Sequence, residues 1–138
     1  MDADLILKDE THELIGAAME VHSFLGFGLT EKPYENALVL ELANRSIPFE
    51  QQPRFDVLYK DEVVGHYIPD LVTHRQVVVD AKAIDQITER EVGQMLTYLR
   101  VTKLPLGLIL NFGRKRLEWK RVALTTNKRP AAEEIHLR

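Results

Sequence analysis

Tyr67-Ile68-Pro69-Asp70-Leu71-Val72-Thr73-His74-Arg75-Gln76-Val77-Val78-Val79-Asp80-Ala81-Lys82 carries the deciding pattern of this 138-residue chain. Two short strands flank a polar break: Val77, Val78 and Val79 are β-branched, and His74-Arg75-Gln76 interrupts the apolar run. A hairpin loop with an odd number of residues, centred on Arg75, sets Asp70 directly opposite Asp80. Lys82 follows on the same face, because side chains alternate along a strand. Two carboxylates and an ammonium then share one spot on a sheet. Carboxylates that close repel unless a cation sits between them, and oxygen ligands suit Mg²⁺ or Mn²⁺. A cross-strand ion pair on a solvated face accounts for the same three residues, so this segment alone leaves both readings open.

Working outward toward the N-terminus, Val63 to Tyr67 is a strand, Lys60-Asp61-Glu62 a polar turn, and Phe49 to Tyr59 an extended stretch. Before Pro48, Tyr34, Leu38 and Leu42 recur at helical spacing, so a helix is expected from about Lys32 or Pro33 to Arg45, with Pro33 tolerated in its first turn. Leu14, Ala18, Val21 and Leu25 predict an earlier helix from about Lys8 to Leu25, stopped by Gly26 and Gly28. Toward the C-terminus, Thr88-Glu89-Arg90-Glu91 has the form of a capping box and opens a helix that runs to about Val101. Leu106 to Phe112 is a buried-looking strand, Gly113 to Lys115 a tight turn, and Leu117 to Leu124 a last strand. The tail from Thr125 to Arg138 has weak periodicity and is either a short helix or disordered.

The order is α-α-β-β-β-α-β-β: one mixed central β-sheet with helices on both faces, in the α/β class. Residues 1–138 form a single domain, with a core from about 8 to 124 and a tail over 125–138.

Composition narrows the function classes. Hydrophobic residues make up 45% of the chain, enough for a core. The absence of cysteine excludes a disulfide framework, a thiolate metal site and a cysteine nucleophile. Met1-Asp2-Ala3-Asp4 lacks the basic and apolar regions of a signal peptide, and no apolar run is long enough to span a membrane. A cytoplasmic protein with no membrane partner is expected. The net charge of −3 argues against a general nucleic-acid coat protein. Even so, Arg114, Lys115, Arg116, Lys120, Arg121, Lys128 and Arg129 stand against the single acid Glu118 in one segment. Such a cluster can meet phosphates or can be a solvated surface.

Other positions carry chemistry. Glu31 lies between Gly28 and the second helix, where it caps that helix or supplies a third metal-associated carboxylate. The two preceding glycines permit close backbone approach. Gln94 and Tyr98 share a helix face, from which an amide and a phenol can orient water or a phosphate, and Gly93 beside them would allow close packing. The five histidines show no metal-ligand spacing, and no glycine-rich phosphate loop or dinucleotide fingerprint is present.

Taken together, these motifs resemble a known family. Gly28-Leu29-Thr30-Glu31-Lys32-Pro33-Tyr34 matches the signature of the GxxExxY proteins, which belong to the PD-(D/E)XK nuclease-like superfamily. The likeness includes Ile15 to His22, Pro69-Asp70 with Asp80-Ala81-Lys82, Gln94 to Leu99, and Leu106 to Gly113, and so covers about residues 10 to 123. It implies a restriction-endonuclease-like core. By position, Asp70 and Asp80 match the metal-binding acids, joined by the Ala81 carbonyl. Glu31 matches the helix-borne acid, Lys82 the catalytic lysine, and Gln94 and Tyr98 the Gln-x-x-x-Tyr helix motif. Many members carry Glu-Leu-Lys where this chain has Asp80-Ala81-Lys82, and the shorter Asp bears on metal position and choice.

The expected function is an Mg²⁺- or Mn²⁺-dependent nuclease that hydrolyses phosphodiester bonds, with nucleic acid as partner and DNA as the expected polymer. A homodimer is compatible with the sequence. The alternatives are a catalytically silent nucleic-acid-binding or scaffold domain with the nuclease fold, and a hydrolase of a small nucleotide.

Overall fold

The computed structural model describes residues 6–124. The expectation for the tail, including Lys128 and Arg129, lies outside them. Two helices, α1 (Lys8–Leu25) and α2 (Glu31–Asn44), precede β1 (Phe49–Gln51), β2 (Phe55–Tyr59), β3 (Glu62–Tyr67), β4 (Leu71–Thr73) and β5 (Val77–Lys82). Then follow α3 (Glu89–Thr102), β6 (Leu106–Asn111) and β7 (Glu118–Ala123). The order of helices and extended regions is the expected one, with the extended regions between α2 and α3 divided among five strands.

The division at residues 52–54 has a local cause. Gln52 adopts a left-handed φ of 54°, and Pro53 has no N–H to continue a ladder. The Phe49–Tyr59 stretch therefore breaks, and its halves join different sheets. The main sheet has the order β1-β4-β5-β6-β7, while β2 and β3 form a separate hairpin. In the main sheet β5 and β6 are parallel, and the other neighbouring pairs are antiparallel. A parallel pair needs a long crossover, and α3 supplies it.

Alternation along β5 assigns its residues to two cores. Val77, Val79 and Ala81 pack with Leu106, Leu108, Leu110 and Phe112 against Leu14, Ala18, Tyr34, Leu38 and Leu42 of α1 and α2. Val78 packs with Ile109 and Val122 against Met95 and Leu99 of α3. Both faces of β5 are covered, which is why Val77 to Ala81 are all buried. Period two then puts Asp80 and Lys82 on the α3 side.

One close approach sets the spacing between α3 and the sheet. A Cβ on Gly107 of β6 would stand 2.5 Å from the Met95 side chain, so glycine there lets α3 lie close. Gly93, by contrast, faces open space. The expectation that it mediates close packing is corrected: Gly93 lies on the exposed side of α3, and Gly107 makes the approach from the sheet.

Candidate active site

The β4–β5 connection fixes the register. Leu71 pairs with Val79, Val72 with Val78 and Thr73 with Val77, a pairing centred on Arg75. One further step places Asp70 opposite Asp80. The turn puts both His74 and Arg75 at positive φ, 54° and 59°, which non-glycine residues adopt reluctantly. His74 is tied down there: its amide donates to the Pro48 carbonyl at 3.0 Å, and its ring lies 3.2 Å from Glu13.

Beyond Leu71 the backbone of β4 leaves β5, and the Asp70 side chain takes over. Its Oδ2 accepts a hydrogen bond from the Ala81 amide at 2.8 Å. The Asp70 carbonyl accepts from the Gln52 amide at 2.9 Å, so this residue bridges β1 and β5. On the opposite edge of β5, the Lys82 carbonyl accepts from the Phe112 amide at 2.8 Å. Successive carbonyls of a strand alternate in direction, so the Ala81 carbonyl points away from β6, toward the Asp70 side.

Asp80 is nearly buried, and Lys82 Nζ lies 3.8 Å from its Oδ2. Burial pushes the Asp80 carboxyl up to about 6; the Lys82 charge works against that, while Asp70 and Glu31 add to it. Asp70 is also raised, first by burial, against the Ala81 hydrogen bond, and further by Glu35 and Glu31. Four carboxylates therefore act on one another around the end of β5.

Glu31 is the first residue of α2 rather than part of the loop before it, and its side chain is exposed. The helix N-cap, Thr30, makes no side-chain capping bond. Tyr34 positions this start. Its ring is fully buried and stacks on Phe112, with centroids 4.7 Å apart and planes 7° apart. Its hydroxyl donates to the Gly26 carbonyl at 2.6 Å and accepts from the Leu29 amide at 3.2 Å. The buried tyrosine thus ties down the loop that delivers Glu31.

Glu35, one turn beyond Glu31, escaped the sequence reading. It is buried, paired with Lys32 at 3.3 Å, and accepts hydrogen bonds from Gln51 Nε2 at 2.8 Å and Gln52 Nε2 at 3.3 Å. Its signal was the i, i+4 spacing from Glu31.

Tyr98 of α3 stacks on Tyr67 of β3, with ring centroids 3.9 Å apart, and both Asp80 and Asp70 raise its pKa after burial does. Gln94 is exposed one turn earlier and makes no side-chain hydrogen bond among the described residues.

The segment leaving Lys82 is held by Asn111, another residue missed from sequence. Buried Asn111 accepts from the Ile84 and Gly113 amides and donates to the Ile84 carbonyl, each at 3.0 Å. It also donates to Glu118, which accepts from the Ile87 amide. This network leads directly to the α3 capping box. There Thr88 accepts from the Arg90 amide, and Glu91 accepts from the Thr88 amide at 2.7 Å.

The basic segment divides in two. Arg121 bonds Thr11 and the Ile6 carbonyl, and Arg114 bonds the Asp85 carbonyl at 3.0 Å, so these two tie elements together. Lys115 and Arg116 are exposed on the β6–β7 loop, at the same end of the sheet as Lys82. A cavity of about 550 Å³ between Phe49, Phe55, Val72 and Leu104 is lined by Glu50 but by none of Glu31, Glu35, Asp70 and Asp80.

Among the described residues, no three His, Cys, Asp or Glu side chains are gathered closely enough to enclose a metal by themselves. The donor set at β5 nevertheless fits a hard divalent cation. It offers Asp70, Asp80 and the Ala81 carbonyl, all oxygen, with carboxyls destabilised by burial and by mutual repulsion. Mg²⁺ binds through few carboxylates and keeps several waters.

A family model described as the PD-(D/E)XK nuclease superfamily matches residues 8–122. The chain belongs to the PD-(D/E)XK nuclease superfamily. Among curated proteins, none matches. Of solved structures, that of SSO0001 is similar, with a TM-score of 0.56 at 14% identity over 95% of this chain. This likeness shows the fold. The chain spans 65% of the length of SSO0001. No helix among the described residues is long and apolar enough to cross a membrane.

Proposed function

We propose that this member of the PD-(D/E)XK nuclease superfamily is a divalent-metal-dependent nuclease that hydrolyses phosphodiester bonds of DNA in the cytoplasm, and that it falls in the GxxExxY branch. The observation that carries the reading is the end of β5: Asp80 and Lys82 stand there 3.8 Å apart, with Asp70 bonded to the intervening Ala81. The branch is supported by Tyr34, whose hydroxyl ties down the loop before Glu31.

Asp70, Asp80 and the Ala81 carbonyl would hold the cation, with Glu31 at its rim. A bound Mg²⁺ or Mn²⁺ would polarise the phosphoryl oxygen and lower the pKa of a water. The Lys82 ammonium would balance charge that builds on the phosphoryl group. Tyr98 and Gln94, on one face of α3, would orient a water or phosphate. Lys115 and Arg116 would hold the backbone without reading sequence.

The test is an assay of the purified protein on supercoiled, linear and single-stranded DNA and on RNA, with Mg²⁺, Mn²⁺ or EDTA. Cleavage that requires metal and is abolished in Asp80→Asn is the expected result. No cleavage of any substrate under these conditions would favour a silent nucleic-acid-binding domain.

A further inference from the structure

Buried tyrosine hydroxyls normally find a hydrogen-bond partner. Tyr67 Oη does not. Among the described residues it is the buried side-chain polar atom left without one. The ring itself is firmly placed. It ends β3, three residues before Asp70, and stacks on Tyr98 with centroids 3.9 Å apart and planes tilted by 16°. The hydroxyl is also close enough to the site to feel Asp80, Asp70 and Tyr98, all of which, after burial, push its pKa upward. The group is therefore a neutral phenol with a proton to donate. Two carboxylates lie within electrostatic reach, yet it hydrogen-bonds neither.

An isolated donor whose ring is stacked on Tyr98, within electrostatic reach of Asp80 and Asp70, is arranged for an acceptor that arrives from outside. Resting on the nuclease reading above, we propose that Tyr67 is a catalytic residue whose O–H donates a hydrogen bond to a non-bridging oxygen of the phosphodiester being cleaved, with Tyr98 fixing the ring by stacking. The acceptor must be an oxygen that enters beside Asp70 and Asp80, and a phosphoryl oxygen drawn there by a cation meets that requirement. Charge on such oxygens changes as the bond to the leaving group breaks, and a donor fixed in advance stabilises it without reorganisation. No proton need leave Tyr67 in this role.

The physical signature is a conflict between stability and activity. If the hydroxyl has no partner in the free protein, removing it relieves an unmet polar group, while the stacked ring remains. The experiment compares wild type and Tyr67→Phe in thermal midpoint without DNA, and in kcat and KM for linear DNA with Mn²⁺. The expected result is an equal or higher midpoint, a KM within about twofold, and a kcat lower by roughly a hundredfold or more, the usual effect of losing one transition-state donor. Equal kcat in the two proteins overturns the assignment and leaves the nuclease reading standing. A lower midpoint accompanied by a lower kcat makes the hydroxyl structural and also overturns it. If wild type cleaves nothing, the nuclease reading fails, and this assignment fails with it.

Discussion

The Asp70 carboxylate holds the Ala81 amide at 2.8 Å, and this bond ties the first acid of the site to the strand that carries the second. It directs one Asp70 oxygen to backbone. It also holds in place the Ala81 carbonyl, which faces the same edge of β5. Asp70→Asn keeps a side chain of the same size but removes a negative charge, and its amide can face Ala81 with the wrong end. Mn²⁺ affinity, measured by titration calorimetry, should fall at least tenfold in Asp70→Asn and in Asp80→Asn. Unchanged affinity in both variants would make these carboxylates structural.

Asp80 makes stability depend on pH in a direction opposite to most acids. Its carboxyl titrates at about 6 in the folded chain, against about 4 when unfolded. The folded state therefore retains a proton that the unfolded state has released. The stability from this group is complete below about pH 4 and is lost as pH rises through about 6. The interval corresponds to roughly 3 kcal/mol. Asp80→Asn mimics the protonated form, so it should melt above wild type at pH 7.5 and approach wild type at pH 4. Mn²⁺ should raise the wild-type midpoint at pH 7.5 and leave that of Asp80→Asn nearly unmoved. Melting curves at three pH values, with and without Mn²⁺, check both statements. A variant that melts below wild type at pH 7.5 would contradict the sign.

Tyr34 is predicted to act through its hydroxyl as well as its ring. Tyr34→Phe keeps the stack on Phe112 and removes both bonds to the loop, leaving the Gly26 carbonyl and Leu29 amide without this partner. The loss should be about 1–3 kcal/mol of stability, read from the urea midpoint. The Leu29 amide should also exchange faster with solvent. Exchange equal to wild type would show that the loop is held by other means.

Gly113 should tolerate no side chain. A Cβ there would lie 2.5 Å from the Ile84 nitrogen and 2.7 Å from the Ala83 carbonyl carbon, both backbone atoms. Gly113→Ala must therefore push away the segment that leaves Lys82, and it should lose roughly 1–3 kcal/mol, the range for overpacking. A wild-type melting midpoint would mean that the segment can step aside.

How far the sequence discloses this site depends on the range of each interaction. The Asp70–Asp80 register follows from period two and an odd loop, both local properties, and the Thr88 capping box is local as well. Pro53 is a local signal of the break between β1 and β2, but the expectation of one extended stretch from Phe49 to Tyr59 does not use it. Asn111 is different: it sits in the apolar run from Leu106 to Phe112, and its partner Ile84 is 27 residues away. Tyr34 read as one more apolar position of a helix stripe, because the Gly26 carbonyl that it bonds becomes a partner only after the loop folds back. Arg114 and Arg121 counted as free positive charge until their carbonyl partners came into view. Tyr67 was in plain sight three residues before Asp70, but nothing in the sequence says that its hydroxyl would be buried and unpaired.

Lys82 gives the sharpest separation of catalysis from binding. Its ammonium lies 3.8 Å from Asp80, and the side chain is 22% exposed, so it can meet both the buried acid and an entering phosphate. If it acts on charge that develops during cleavage, only the transition state loses stabilisation when it is removed. Lys82→Ala should lower turnover by about a hundredfold to a thousandfold and change DNA affinity little. Mn²⁺ affinity should hold or rise, because a competing positive charge beside Asp80 is gone. A simple ion-pair role predicts a different set of results: the Asp80 carboxyl, deprived of its counter-charge, titrates still higher and stability at pH 7.5 falls, with no effect on turnover beyond the loss of folded protein. Cleavage rate, DNA affinity at fixed salt and melting midpoint, measured on the same preparations, distinguish the two roles. Equal turnover per folded molecule in wild type and Lys82→Ala would leave Lys82 as the partner of Asp80 and nothing more.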